Sequence, residues 1–173
     1  MTSPSSATTE SVVRYRSWQS DDSLDEITGL LHLAYRVLAD QGFNYTATYQ
    51  DVSTTLRRLQ NGQAFVAEQA GTIIGTITLY APGPKSSCAW YTHAAHFGQF
   101  AVRPGFQRCG VGSRLLELVE TRAKTAGVAE LALDTAEGAT KLCSWYERRG
   151  YRLVQHVTWS GKTYRSVVLS KTL

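Results

Sequence analysis

Gln107-Arg108-Cys109-Gly110-Val111-Gly112 lies between a strand-like apolar run, His96-Phe97-Gly98-Gln99-Phe100-Ala101-Val102, and a helix-patterned segment from Ser113 to Ala126. Strand, glycine-bearing turn and helix start, in that order, make a receptor for a phosphorylated ligand. The first N–H groups of a helix have no partner inside it, and the helix dipole adds partial positive charge there. Glycines at 110 and 112 remove the Cβ atoms that would keep a pyrophosphate away from those amides. Arg108 adds a full positive charge beside them.

Working outward, the chain alternates short apolar strands with amphipathic helices. Residues 1–10 are rich in Ser and Thr and read as a flexible tail, followed by a domain spanning 11–173. Val12 to Arg16 is a first strand. Ser23-Leu24-Asp25-Glu26 has the capping-box pattern, and Leu24, Ile27, Leu31, Ala34 and Leu38 recur after it at helical spacing. A second helix is expected from about Thr48 to Leu59. Gln63–Glu68 and Thr72–Tyr80 read as a hairpin, and residues 81–87 as a loop. Downstream come a strand at Glu130–Thr135, a helix from about Ala139 to Arg149, and a terminal pair at Tyr151–Thr158 and Ser166–Ser170. The order β-α-α-β-β-β-α-β-α-β-β predicts an α+β fold: a mixed, mostly antiparallel sheet of about seven strands with helices on both faces.

Composition narrows the function classes. The chain has 173 residues, 43% of them hydrophobic, enough for a substantial core. A net charge of +4 without a dense basic run speaks against a nucleic-acid surface. Cys88, Cys109 and Cys143 are odd in number, scattered and without metal-ligand spacing, which points to a reducing compartment and no metal. No secretory signal is visible and no apolar run approaches the roughly 20 residues of a membrane span. A cytoplasmic location is expected.

Two familiar readings of the loop fail. The P-loop pattern needs a Gly-Lys-Ser/Thr ending, and no lysine follows Gly112. The dinucleotide fingerprint needs a third glycine where this chain has Leu115, although Asp134 stands near the place of its acidic partner. The segment instead resembles the pyrophosphate loop of the GNAT superfamily of acyl-CoA-dependent N-acyltransferases, Gln/Arg-x-x-Gly-x-Gly/Ala, through Gln107, Gly110 and Gly112. Phe100-Ala101-Val102-Arg103-Pro104 is similar to the strand end that leads into that loop. Leu131 to Asp134 resembles the next strand, and Trp145-Tyr146-Glu147-Arg148-Arg149-Gly150-Tyr151 the closing helix-to-strand motif. Cys109 departs from the glycine or lysine more usual at its position.

The resemblance implies this order of elements as the GNAT fold and acetyl-CoA as cosubstrate. The acyl group passes directly to a small-molecule or peptide amine within a ternary complex. It implies that the loop, from Gln107 through Arg108, Cys109, Gly110, Val111 and Gly112 to Ser113, holds the diphosphate. The pantetheine arm would then run along the backbone of Phe100, Ala101 and Val102. A homodimer through the terminal strands is left open. Tyr146 sits where relatives place a proton donor for the departing thiolate, and a phenol of pKa about 10 can do this at neutral pH. Simple packing on its helix would account for it equally.

His96 is the leading base candidate for the amine. It lies six residues before Val102, and an imidazole of pKa near 6.5 is mostly neutral at pH 7. By period-two alternation it shares a face with Gly98, Phe100 and Val102. Gly98 inside the strand suggests a bulge or close backbone approach. His93 is a lesser candidate, and Asp134 and Glu137 could bind the substrate ammonium or merely bond loops. Tyr35, Phe43, Tyr45, Trp90, Tyr91 and Trp159 are aromatics expected near the acceptor pocket. The competing functional classes are a CoA-binding regulatory module of the same fold and a nucleotide-binding domain of another type.

Overall fold

The computed structural model describes residues 12–84 and 88–173. The expected tail at 1–10 and part of the loop at 81–87 fall outside them. The strands are β1 (Arg14–Ser17), β2 (Gln63–Gln69), β3 (Thr72–Tyr80), β4 (Ala95–Val102), β5 (Glu130–Ala136), β6 (Arg152–Val157) and β7 (Ser166–Thr172). The helices are α1 (Leu24–Ala39), α2 (Val52–Gln60), α3 (Val111–Thr125) and α4 (Thr140–Glu147). All seven strands form one sheet in the order β1-β2-β3-β4-β5-β7-β6.

Local chemistry sets the helix starts. Ser23 caps α1, its Oγ accepting from the Glu26 amide at 3.2 Å. Asp51 caps α2 by accepting from the Thr54 amide at 2.7 Å. That cap moves the start of α2 to Val52, past the expected Thr48; the preceding Thr46–Thr48 forms only a 3-10 turn. The apolar stripes then divide between the two sheet faces. Ile27, Leu30 and Leu31 of α1 pack with Val66, Ile73 and Ala101 on one face. Leu115, Leu116 and Val119 of α3 pack with Phe65, Ile77 and Phe97 on the other.

Two irregularities in β4 matter for function. Five of the six strand pairings are antiparallel, but β4 and β5 run parallel, and their ladder consists of Ala95 with Leu131 and His96 with Ala132. Beyond His96 the strands separate and leave unpaired backbone between them. The second irregularity is a bulge. Thr76 pairs with Ala101 but Thr78 pairs with Gly98, so two β4 residues oppose one on β3. The strained residue is Gln99, at φ +50°, rather than Gly98.

The bulge overturns the expected facing. An extra residue swaps the sides of everything beyond it. Phe97 and Phe100 therefore meet on the α3 face with ring centroids 5.9 Å apart, while Gln99 turns the other way and accepts from Gln50 Nε2 at 2.9 Å. His96 does not share a face with Phe100 and Val102.

Candidate active site

The glycine loop forms as a row of unspent donors. Arg108 at φ +65° and Gly110 at φ +84° adopt left-handed backbone, and Gly110 stands at the cap position of α3 without any side-chain cap. Such turns converge successive amides on one point. The first amide of this region to donate into the helix is that of Arg114, to the Gly110 carbonyl at 3.0 Å. Among the described residues no hydrogen bond of good geometry leaves the amides of Arg108 to Ser113, although residues 107–110 form a turn. Gly112 approaches β4 so closely that a Cβ would sit 3.4 Å from Val102 Cγ2.

Side chains brace this loop instead of filling it. Gln107 Nε2 donates to the Val102 carbonyl at 3.2 Å, tying the loop to the end of β4. Cys109 is exposed, its Sγ 3.6 Å from the Gln107 carbonyl. The Ser113 hydroxyl accepts from Arg149 at 2.9 Å, and that guanidinium lies 3.6 Å from the Trp145 ring centroid. Arg149 thus places a second cation at the start of α3. Its position two residues past the helix end gives no sequence signal for this. Of the backbone implied to meet a pantetheine arm, the Phe100 carbonyl accepts from Tyr35 Oη at 3.2 Å and the Val102 carbonyl from Gln107. Each carbonyl keeps a second lone pair.

The split between β4 and β5 opens into a cavity of about 890 Å³. Its lining includes Tyr35, Tyr45, Tyr80, Tyr91, Tyr146, Trp159 and Tyr164, together with Arg58, His96, Asp134 and Lys162. Four of the six aromatics expected here line it. Phe43 instead packs against Tyr45 and Tyr164 from behind, and Trp90 packs edge-on against the exposed His93. Tyr80 and Tyr164 were not legible: nothing in a strand's spacing tells that the end of β3 faces a cleft, and Tyr164 lies in the irregular connection before β7, which has no period to read.

His96 is the middle ring of a stack, with Tyr91 at 4.0 Å and Tyr80 at 5.0 Å between centroids. Its buried Nδ1 has no hydrogen-bond partner. Burial pushes the imidazole down to about 4. The structure therefore brings His96 to the cavity but makes it a weak proton acceptor, against the expectation built on an ordinary histidine. Its stacking neighbours deny the imidazolium the hydration it needs.

Asp134 projects from β5 into the cavity. Tyr91 Oη donates to Oδ1 and Trp159 Nε1 to Oδ2, both at 2.9 Å. Solvent reaches it through the cavity mouth, yet the surrounding walls strip enough hydration to push its carboxyl above the usual carboxylate range. The two hydrogen bonds oppose that shift without cancelling it. Glu137, by contrast, is exposed and paired with Arg165 at 2.8 Å, outside the cavity lining. Tyr146 is buried on α4, and desolvation holds its phenol well above 10. Among the described residues, no group of three His, Cys, Asp or Glu side chains could hold a metal.

An anion-receptive helix start, a split sheet and a polar aromatic cavity at the end of that split define a transferase of the acyl-CoA-dependent class. The family model described as acetyltransferase (GNAT) family matches residues 24–151. S-(2-succino)cysteine N-acetyltransferase of Bacillus subtilis (strain 168) is 31% identical over 140 residues, covering 80% of this chain and 83% of that protein. S-alkylcysteine N-acetyltransferase of the same organism is 26% identical over 141 residues, covering 76% and 75%. A GNAT family acetyltransferase from Elizabethkingia anophelis with acetyl-CoA bound shares the fold at TM-score 0.63 and 20% identity, covering 93% of this chain and 98% of that one. The chain belongs to the GNAT acetyltransferase family. It is an acetyl-CoA-dependent N-acetyltransferase.

Proposed function

We propose that this enzyme acetylates the amine of a small amino-acid-like acceptor, with the diphosphate of acetyl-CoA on the amides of residues 108–113 and the acceptor in the tyrosine-lined cavity. The observation that carries the reading is the row of unspent amides opening toward the β4–β5 split. The two Bacillus subtilis relatives are named for cysteine derivatives, which supports a substituted amino acid as acceptor.

Bound acetyl-CoA supplies an acetyl thioester; a C–N bond replaces the C–S bond, one proton leaves the amine and one reaches the thiolate. Tyr146 is assigned the second proton transfer. Its phenol stays protonated at any physiological pH and lines the cavity. Asp134 takes over the role expected of His96. A carboxylate in the cavity wall attracts the acceptor ammonium, and its raised pKa improves it as the group that receives the proton, directly or through one water. The stacked His96 supplies a flat, uncharged floor. Phe100, Ala101 and Val102 are assigned to the pantetheine arm and residues 107–113 to the diphosphate.

No helix among the described residues is long and apolar enough to cross a membrane, and three cysteines scattered through the sequence without metal-ligand spacing support a reducing, cytoplasmic compartment. Thiol release from acetyl-CoA across a panel of amines tests the activity: S-substituted cysteines should be turned over faster than simple alkylamines. Equal rates with all amines would remove the amino-acid reading.

A further inference from the structure

The cavity has a charge arrangement that the acetyl-transfer reading leaves unused. Besides the neutral His96, two cationic side chains line it among the described residues, Arg58 and Lys162. They differ in what they have left to offer. Lys162 lies in the β6–β7 connection, and its Nζ donates to the Asn44 carbonyl at 2.9 Å, Thr46 Oγ1 at 2.9 Å and Tyr49 Oη at 3.3 Å. An ammonium has three donors, so these contacts exhaust it. Lys162 fastens the connection to the segment after α1.

Arg58 is the opposite case. It lies in the last turn of α2, half-buried, and no described residue forms an ion pair or hydrogen bond with its guanidinium. Outside the hydrogen bonds of its own helix, only its main-chain carbonyl is engaged, accepting from Tyr80 Oη at 3.1 Å. Five N–H donors in a rigid planar fork face a cavity without a protein acceptor. A half-buried guanidinium with no protein acceptor has only water on its donors, and a carboxylate entering the cavity would replace that water with two parallel hydrogen bonds. The floor of the cavity sets the polarity. The stack of Tyr80, His96 and Tyr91 has the main-chain carbonyl of Arg58 bonded to its first ring and the carboxylate of Asp134 bonded to its last, and the Arg58 side chain lines the same cavity. The Arg58 charge is felt at both Asp134 and Tyr35. An acceptor lying along this floor meets a cation at one end and an anion at the other.

We infer that Arg58 is a specificity-determining residue that binds a carboxylate of the acceptor, so that the enzyme selects amines that also carry an acid group. The inference rests on the acceptor-site reading above and deepens it. The carboxylate could be the α-carboxylate of an amino acid or one carried on its side chain. Both present the same planar pair of oxygens, and the experiment separates them.

Four acceptors decide it: an S-alkylcysteine, its α-carboxamide, an S-(carboxyalkyl)cysteamine with only the distal acid, and an S-alkylcysteamine with neither. Wild-type kcat/KM should favour at least one acid-bearing acceptor over the one with neither by roughly tenfold or more, the usual scale for a charge-assisted pair. Whichever position carries the preference identifies the source. In Arg58→Gln the preference should collapse to within about threefold through KM, with kcat for the S-alkylcysteamine unchanged. Arg58→Lys should recover part of it, and Arg57→Gln, one residue away and exposed, should leave it intact. Calorimetric titration of the same acceptors without acetyl-CoA repeats the comparison without turnover. Absence of turnover with every amine would therefore strike the transferase reading alone. Equal wild-type affinity for acid-bearing and acid-free acceptors, or an undiminished preference in Arg58→Gln, overturns the role of Arg58.

Discussion

Tyr91 donates its hydroxyl to Asp134 Oδ1 across 2.9 Å, joining the segment before β4 to the strand that diverges from it. The bond fixes a carboxylate at the mouth of the split and leaves it lone pairs to spare. Burial holds the Tyr91 phenol above its ordinary range, so it remains a donor wherever Asp134 is ionised. An acceptor ammonium arriving there finds an oriented anion rather than a mobile one.

Replacing Asp134 by Asn should lower kcat by about 100-fold or more, the scale of a lost general base. The pH profile carries the sharper test. A raised carboxyl pKa means that wild-type activity falls as pH drops through that raised value, because Asp134 takes up a proton. Asp134→Asn should lose this acidic limb. The same shift has the opposite sense for stability: a folded-state pKa raised above the unfolded one favours folding at low pH, and the contribution is lost as pH rises through it. The substitution should therefore cost little in Tm at pH 7. A variant with full activity and an unchanged acid limb would take Asp134 out of the mechanism.

Tyr146→Phe removes one oxygen from a buried ring that packs 6.0 Å from Phe97 and 5.7 Å from Tyr151, centroid to centroid. The ring packing survives, so the unfolding free energy should change by no more than about 1 kcal/mol. Turnover should fall roughly 10- to 100-fold, with acetyl-CoA affinity retained, as read by steady-state kinetics and calorimetry. Undiminished kcat would leave Tyr146 as a packing residue.

These assignments show where residue types and spacing were informative. The Ser23 cap, the hairpin at residues 63–80, the loop at 107–112 and the strand–helix order were all legible, because each follows from local chemistry or short-range periodicity; the return half of the expected capping box is not made, since Glu26 Oε1 accepts from the Ile73 amide instead. The face of His96 was not. It depends on one residue of bulge at Gln99, and a bulge breaks the period-two count on which the reading relied. The loss of basicity at His96 follows from two tyrosines, one on β3 and one before β4, that only the folded sheet brings against it. Arg58 and Arg149 were visible only as members of basic pairs. Their value comes from what stands opposite them: no partner among the described residues for the Arg58 guanidinium, Trp145 and Ser113 for Arg149.

Gly110→Val separates loop chemistry from loop folding. A Cβ there meets no protein atom within 4 Å, so no clash with the fold arises. The left-handed φ of +84° still strains any side chain, at about 1–2 kcal/mol. Tm should drop modestly, while acetyl-CoA affinity should fall by far more than that strain explains, since the added methyl groups stand among the amides. Calorimetric titration with CoA reads the affinity. Unchanged binding in a folded Gly110→Val variant would refute the diphosphate assignment.

Glu130 offers a control at the closed end of the split. It begins β5, where β4 and β5 still pair, and accepts from Arg152 Nη2 at 2.9 Å, from Thr172 Oγ1 at 2.8 Å and from the Ser170 hydroxyl. These bonds lace β5 to the terminal strands. Burial would push its carboxyl up, but the three donors outweigh it and bring it down to about 2. A depressed carboxylate stabilises the fold above its ordinary pKa, and that stability is lost as pH falls from about 4.5 toward 2. Glu130→Gln should cost about 1–2 kcal/mol at pH 7, since Arg152 is half-exposed and the pair is partly screened. It should also flatten the acid unfolding curve over that interval, measured by thermal melts at stepped pH. Acetyl-CoA KM should stay within about twofold, because the clamp holds strands together where no ligand passes. A large KM effect would mean that the hinge of the β4–β5 split, and not only its mouth, governs cofactor entry.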